Sequence, residues 1–277
     1  MKLLTFQITL PDHIKTGHTG KDAVLTVYLR SPLAGDPDKK RPAILICPGG
    51  GYRRLSDREA EPIAMQYLAM GYHAMVLEYS VAPNTFPTAL LELATAMALI
   101  REHAGAWSVD SDRIIVSGFS AGGHLACSLG VFWDRDFVAA PLSLIPEQIK
   151  PNGLILCYPV ISSGPDCHRD SFLNLLGRQA EDSEARDQVS LELQVGPQMP
   201  GTFLWHTWTD QSVPVENSLL LAQACAKAGV NLEMHLYPIG IHGLALAAED
   251  SAEPGHKQVE PQCQSWIPLA KTWLQNL

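Results

Sequence analysis

Short apolar runs separated by stretches of helical periodicity set the plan of this chain. Residues 42–47, 113–117, 202–208 and 232–237 each read as a strand, that at 113–117 as a short buried one. Leu90, Leu93, Ala94, Met97 and Ala98 recur at i, i+3, i+4, i+7 and i+8, which gives a helix one face to pack on a sheet. Ser56 and Glu59 have the spacing of a capping box ahead of Ile63, Tyr67 and Leu68, with Gly71 as the stop. Apolar strands alternating with amphipathic helices predict an α/β fold, a mostly parallel sheet with helices on both faces. Residues 3–10 and 23–30 alternate more weakly and predict an antiparallel start to the sheet. Trp266, Leu269, Trp273 and Leu274 predict a closing helix, with Pro268 as a kink point. The chain reads as one domain, 1–277. Its one long interruption, 162–198, mixes charge with Phe172, Leu173, Leu175 and Leu176 and is read as a small helical cap near the strand C-termini, the alternative being a mobile solvated loop.

The run Gly118-Phe119-Ser120-Ala121-Gly122 follows the strand at 113–117 and opens a helix extending to Leu129. A serine on such a strand-to-helix turn has its hydroxyl pushed out of the sheet, and the helix N-terminus behind it offers N–H groups and partial positive charge to a developing anion. A nucleophilic serine needs a base and an orienting acid, in the chain order serine, acid, histidine. The histidines after Ser120 are His124, His168, His206, His235, His242 and His256. His242 is the best placed base, in a glycine-flanked loop just past the strand at 232–237. His206 and His235 sit within strands and read as satisfied core or face residues, and His124 as packing or capping in the first turn of the helix. Asp210, just beyond the strand at 202–208 and ahead of Val213-Pro214, reads as the acid that fixes the tautomer of His242, or otherwise as a turn residue or cap. Asp166, Asp170, Asp182 and Asp187 read as solvated charges.

The strand at 42–47 runs into Pro48-Gly49-Gly50-Gly51-Tyr52. Three glycines there imply close backbone approach, and an oxyanion hole built from Ala121 N–H with Gly50 or Gly51 N–H supplies the reason, the choice between the two glycines staying open. A phosphate loop would need Gly-Lys-Ser/Thr or G-x-G-x-x-G, and neither is present. Tyr52 and Arg53, with Arg54, follow the glycines and read as lining the alcohol side, Arg with donors for a carboxylate or sugar hydroxyls. Trp208 beside the acid reads as a limit of the acyl pocket or as core.

Together with Tyr158-Pro159-Val160-Ile161-Ser162, Asp210-Gln211-Ser212-Val213-Pro214 and Gly240-Ile241-His242-Gly243-Leu244, these motifs make the chain resemble an α/β-hydrolase of the hormone-sensitive-lipase-like and acetyl-xylan-esterase-like carboxylesterase group from about residue 40 to the C-terminus. The resemblance implies a serine hydrolase acting on carboxylic esters, short-chain acetyl esters above all, among them acetylated sugars or xylo-oligosaccharides. It is also compatible with a dimer or tetramer. Pro48 stands where many relatives carry His, so a link through that side chain is not expected. An amidase, formamidase or peptidase with the same three residues is the alternative within enzymes, and a non-catalytic hydrolase-fold binding protein is the alternative outside them.

A net charge of −9 without a basic stripe argues against nucleic acid as a partner. No apolar run reaches membrane-spanning length. Met1-Lys2-Leu3-Leu4 resembles the start of a signal peptide, but Gln7, Asp12, His13 and Lys15 interrupt it, and the reading favours retention in the cytoplasm. The six cysteines include no C-x-x-C and read as reduced buried thiols, not disulfides or zinc ligands. The expected chemistry calls for no metal or cofactor, only a small-molecule ester.

Overall fold

The computed structural model describes residues 1–11, 14, 22–255 and 257–277. Asp12, His13 and Lys15, which break up the apolar start of the chain, and the candidate His256 lie outside them. Eight strands form one sheet: β1 (Lys2–Ile8), β2 (Ala23–Leu29), β3 (Arg41–Cys47), β4 (His73–Glu78), β5 (Val109–Phe119), β6 (Gly153–Cys157), β7 (Thr202–Thr207) and β8 (Leu232–Tyr237), in the order β1-β2-β4-β3-β5-β6-β7-β8. β1, β2 and β4 pair antiparallel, and from β4 through β8 every pairing is parallel. This is the mostly parallel α/β sheet that the alternation of strands and helices predicts, in keeping with the α/β-hydrolase fold that the resemblance implies.

Alternate side chains of the central strands feed two separate cores. Leu45, Val116, Leu156 and Leu204 pack on one face with helix α2 (Thr88–Glu102), helix α3 (Ala121–Phe132) and helix α6 (Glu216–Ala228). Ile44, Ile46, Ile115, Ile155, Phe203 and Trp205 pack on the other with helix α1 (Glu61–Ala69) and helix α7 (Trp266–Asn276). The segment 162–198 holds helix α4 (Arg169–Leu176) and helix α5 (Ser183–Gln188), each followed by a single 3₁₀ turn. Phe172, Leu175 and Leu176 anchor α4 in the core, and Asp182 caps α5 by accepting from the N–H groups of Glu184 and Ala185. No helix among the described residues is long and apolar enough to cross a membrane.

Two local expectations fail. Ser56 and Glu59 form no capping box, because α1 begins only at Glu61, with Ala60 before it, and the Glu59 side chain is buried on partners elsewhere in the chain. Pro268 does not act as a kink: it is the third residue of α7, in the first turn, where its missing N–H removes no intrahelical bond.

α3 reaches the sheet without clearance for side chains. A Cβ on Gly122 would lie 2.1 Å from the Cys47 carbonyl oxygen and 2.4 Å from that of Pro48, and one on Gly118 would lie 2.1 Å from the Gly122 carbonyl oxygen. Gly105 has nothing within 4 Å of the same position. Gly122→Ala is therefore expected to lower Tm by roughly 4–10 °C, as overpacking costs about 1–3 kcal/mol and more against backbone. Gly105→Ala is expected to leave Tm unchanged or raise it by up to about 3 °C. Equal Tm values for the two variants would contradict the close packing of α3.

Candidate active site

β5 runs two residues beyond the predicted strand, to Phe119, and Ser120 then turns the chain into α3 with φ 53° and ψ −118°. A non-glycine residue in this region costs of order 1–3 kcal/mol and persists only where its surroundings hold it. Here the Ser120 N–H donates to the Cys157 carbonyl at 3.0 Å, and the Ser120 carbonyl accepts from His124 N and Val160 N, both at 3.1 Å.

His242 and Asp210 converge on that serine. Nε2 of His242 lies 2.7 Å from Ser120 Oγ, and Nδ1 lies 2.6 Å from Asp210 Oδ2. Asp210 Oδ1 accepts from Ser212 N at 2.9 Å and Val213 N at 3.0 Å, which fixes the carboxylate as an acceptor from both directions. Sequence reasoning left out a fourth member. His206, four residues before Asp210 on β7, is buried with Nε2 at 2.9 Å from the Val213 carbonyl and 3.3 Å from Asp210 Oδ2, and Nδ1 at 2.7 Å from Ser218 Oγ. Because a carbonyl can only accept, Nε2 carries the hydrogen and is shared with Asp210. Burial alone would raise the Asp210 pKa. Hydrogen bonds from His206 and His242, the His242 charge and the Val213 N–H outweigh it and hold the carboxyl well below its ordinary range.

The glycine loop after β3 is fastened from below. Gly49 N–H donates to Glu59 Oε2 at 2.8 Å, the Tyr158 hydroxyl donates to Glu59 Oε1 at 2.7 Å, and Ala245 N–H donates to the Tyr158 oxygen at 2.8 Å. Burial, with Glu59 beside it, pushes the Tyr158 phenol well above its usual pKa, so it remains a donor. One buried carboxylate thus joins the glycine loop to the loop of His242. Pro48 has its carbonyl held by the Tyr79 hydroxyl at 2.6 Å. No acceptor among the described residues takes the N–H groups of Gly50, Gly51 or Ala121.

Gly50, Gly51, Ser120 and His242 share a cavity of about 580 Å³. Arg53, Arg54 and Arg58 line it from the glycine-loop side and His168, Asp170 and Asn174 from α4 and the residue before it, with Leu173 as the one large apolar side chain. Arg53 thus faces the cavity, and two other residues read as lining the site, Tyr52 and Trp208, do not. Tyr52, at φ 55°, turns inward: it is 3% exposed, and its hydroxyl meets His124 Nδ1 at 2.9 Å. His124 is a packing residue, its Nε2 at 2.8 Å from the Val189 carbonyl and its pKa lowered to about 4 by burial. Trp208 is 58% exposed and outside the cavity, because Thr207 takes the buried place next to it, bonded to the Gly240 carbonyl at 3.0 Å.

Comparison with known proteins places this arrangement. The BD-FAE family model matches residues 32–225. Endo-1,4-beta-xylanase B of Butyrivibrio fibrisolvens is 36% identical over 219 residues, 77% of this chain and 34% of that protein, so the chain spans about a third of that relative's length. A solved structure of an acetyl ester-xyloside bifunctional hydrolase from Caldicellulosiruptor lactoaceticus superposes with a TM-score of 0.85 at 33% identity, covering 99% of this chain and 96% of that one. A carboxylesterase from Lactobacillus plantarum superposes with a TM-score of 0.81 at 31% identity, covering 100% of this chain and 98% of that one.

Two outcomes follow for stability. A carboxyl depressed in the folded state contributes stability that is present above its unfolded pKa of about 3.9 and is lost as pH falls toward the folded value. Asp210→Asn is expected to be less stable than the parent at pH 7, with the difference closing below about pH 4. A gap in urea midpoint that stays constant down to pH 3 would contradict this. Glu59→Gln leaves one acceptor oxygen for two buried donors, which costs about 1–3 kcal/mol, and is expected to lower Tm by roughly 3–10 °C in thermal denaturation. An unchanged Tm would mean that the bridge carries no load.

Proposed function

The chain belongs to the BD-FAE family, and from that premise we propose that it is a serine carboxylesterase that releases short acyl groups, acetyl first among them, from the hydroxyls of acylated sugars or xylo-oligosaccharides through an acyl-enzyme. The observation that carries the reading is the unbroken relay from Ser120 Oγ through both nitrogens of His242 to Asp210, opening on a polar cavity beside uncommitted main-chain donors.

His242 Nε2 takes the Ser120 proton as Oγ bonds to the ester carbonyl carbon. The carbonyl oxygen becomes an oxyanion in reach of Ala121 N–H and the Gly50 or Gly51 N–H, and Asp210 stabilises the imidazolium without taking its proton. Collapse breaks the bond to the alcohol, which leaves with the proton from His242. Water then gives a proton to His242 and attacks the acyl-enzyme, and Ser120 recovers its hydrogen as the acid departs. Polar lining supports a hydroxylated alcohol over a long aliphatic acyl chain, and the names of the xylan- and xyloside-acting relatives point the same way.

Ser120→Ala is expected to lower kcat for p-nitrophenyl acetate by about 10⁴–10⁶ and to abolish labelling by a fluorophosphonate. Along acyl chains from acetyl to decanoyl, kcat/KM is expected to peak at acetyl. Undiminished turnover in the alanine variant would overturn the assignment, and faster hydrolysis of an anilide or formamide than of the ester would favour the amidase alternative.

A further inference from the structure

A second imidazole reaches the cavity from the cap, and none of the steps above uses it. His168 precedes α4 and caps it: its Nδ1 accepts from Ser171 N at 3.3 Å and meets Ser171 Oγ at 2.8 Å. A ring nitrogen whose lone pair receives a backbone N–H carries no hydrogen, so the neutral ring bears its hydrogen on Nε2. Burial lowers the His168 pKa, with the nearby His242 acting in the same direction against the smaller opposing pull of Asp170 and Asp210, which favours that neutral form. No acceptor among the described residues meets Nε2.

The free edge of the ring is in the right place to touch substrate. Cε1, bonded to Nε2, would lie 3.9 Å from a Cβ on Gly51, and His168 lines the same cavity as Ser120 and His242. It does not compete as a base, since Nδ1 is occupied by the cap and His242 already holds the serine. A two-carbon acyl group fills a small part of about 580 Å³, so most of the cavity is left to the alcohol half of the ester. Arg53 and Arg54 face that space as further donors, with no carboxylate partner among the described residues.

We propose that His168 is a specificity-determining residue that donates from Nε2 to a ring or hydroxyl oxygen of an acylated sugar, on the alcohol side of the ester. The assignment rests on the esterase reading of Ser120 and adds that the cap selects a hydroxylated alcohol.

The test compares acetate release from a mono-O-acetylated methyl xyloside with hydrolysis of phenyl acetate, whose alcohol half carries no oxygen besides that of the ester. His168→Phe keeps a planar ring and removes the donor. The ratio of kcat/KM, xyloside over aryl acetate, is expected to fall about tenfold or more, chiefly through KM, as for a lost hydrogen bond of roughly 1.5 kcal/mol or more. His168→Gln retains an N–H donor and is expected to bring the ratio back to within about threefold of the parent. An unchanged ratio in His168→Phe, or an equal loss on both substrates, overturns the proposal by leaving only a capping role. Failure of the parent on both substrates instead overturns the esterase reading, and this assignment with it.

Discussion

The contact on which the site depends is the backbone of Gly122 resting on the carbonyls of Cys47 and Pro48. It presses the start of α3 against the end of β3, so that the glycine loop and the serine turn occupy one place though about seventy residues separate them. Gly49 shares the constraint: a Cβ there would lie 2.8 Å from the Phe119 carbonyl oxygen and 3.0 Å from the Ser120 Cβ. Uncommitted N–H groups of the loop and the serine hydroxyl are thereby brought against each other by close main-chain packing. The strained dihedrals of Ser120 are the consequence, offset by the burial of every residue of α3.

Loops at the ends of five strands still need fastening, and two neighbouring residues supply much of it. Glu59 holds Gly49 directly and Ala245 through the Tyr158 hydroxyl. Arg58 donates to the carbonyls of Gly243 and Ser251, both at 2.9 Å. A short turn ahead of α1 therefore grips the loop of His242 from two sides. Both are buried or half-buried hydrogen bonds to charged groups, which are the stronger kind and the costly kind to leave half made. Asp210 is placed by the same logic on the opposite flank, where His206 supports the carboxylate that His242 uses.

What could be read from the sequence follows how local each determinant is. Strands with apolar runs, the serine turn, the antiparallel start and the closing helix are written in contiguous residues, and Ser120, Asp210 and His242 each stand in a local motif whose order along the chain can be read. Tyr52 was misplaced because its direction is set by a turn at positive φ and a hydroxyl partner 72 residues away in His124. Ser56 and Glu59 have the spacing of a helix cap, yet partners 10 and 99 residues distant claim the carboxylate. His206 looked like an ordinary strand residue, and only the fold shows that its ring edge reaches Asp210. His168 lay in the segment of weakest periodicity, where a capping histidine leaves no signature.

That division has a chemical counterpart. In the proposed mechanism the groups that meet the oxyanion are backbone amides, so the reaction type depends on chain path, and chain path is what glycine spacing and strand order reveal. The part of the cavity proposed for the alcohol is instead lined by side chains on separate elements: Arg53 and Arg54 after the glycine loop, His168 and Asp170 at the cap. Their joint position depends on how α4 docks, through Phe172, Leu175 and Leu176 into the core and Asn174 onto the Gly51 carbonyl at 2.8 Å. The helix that His168 caps is therefore bonded to the glycine loop. On the proposed reading, a shift of α4 that admits a different alcohol also pulls on Gly51, which would couple substrate choice to the amide donors through the Asn174 hydrogen bond.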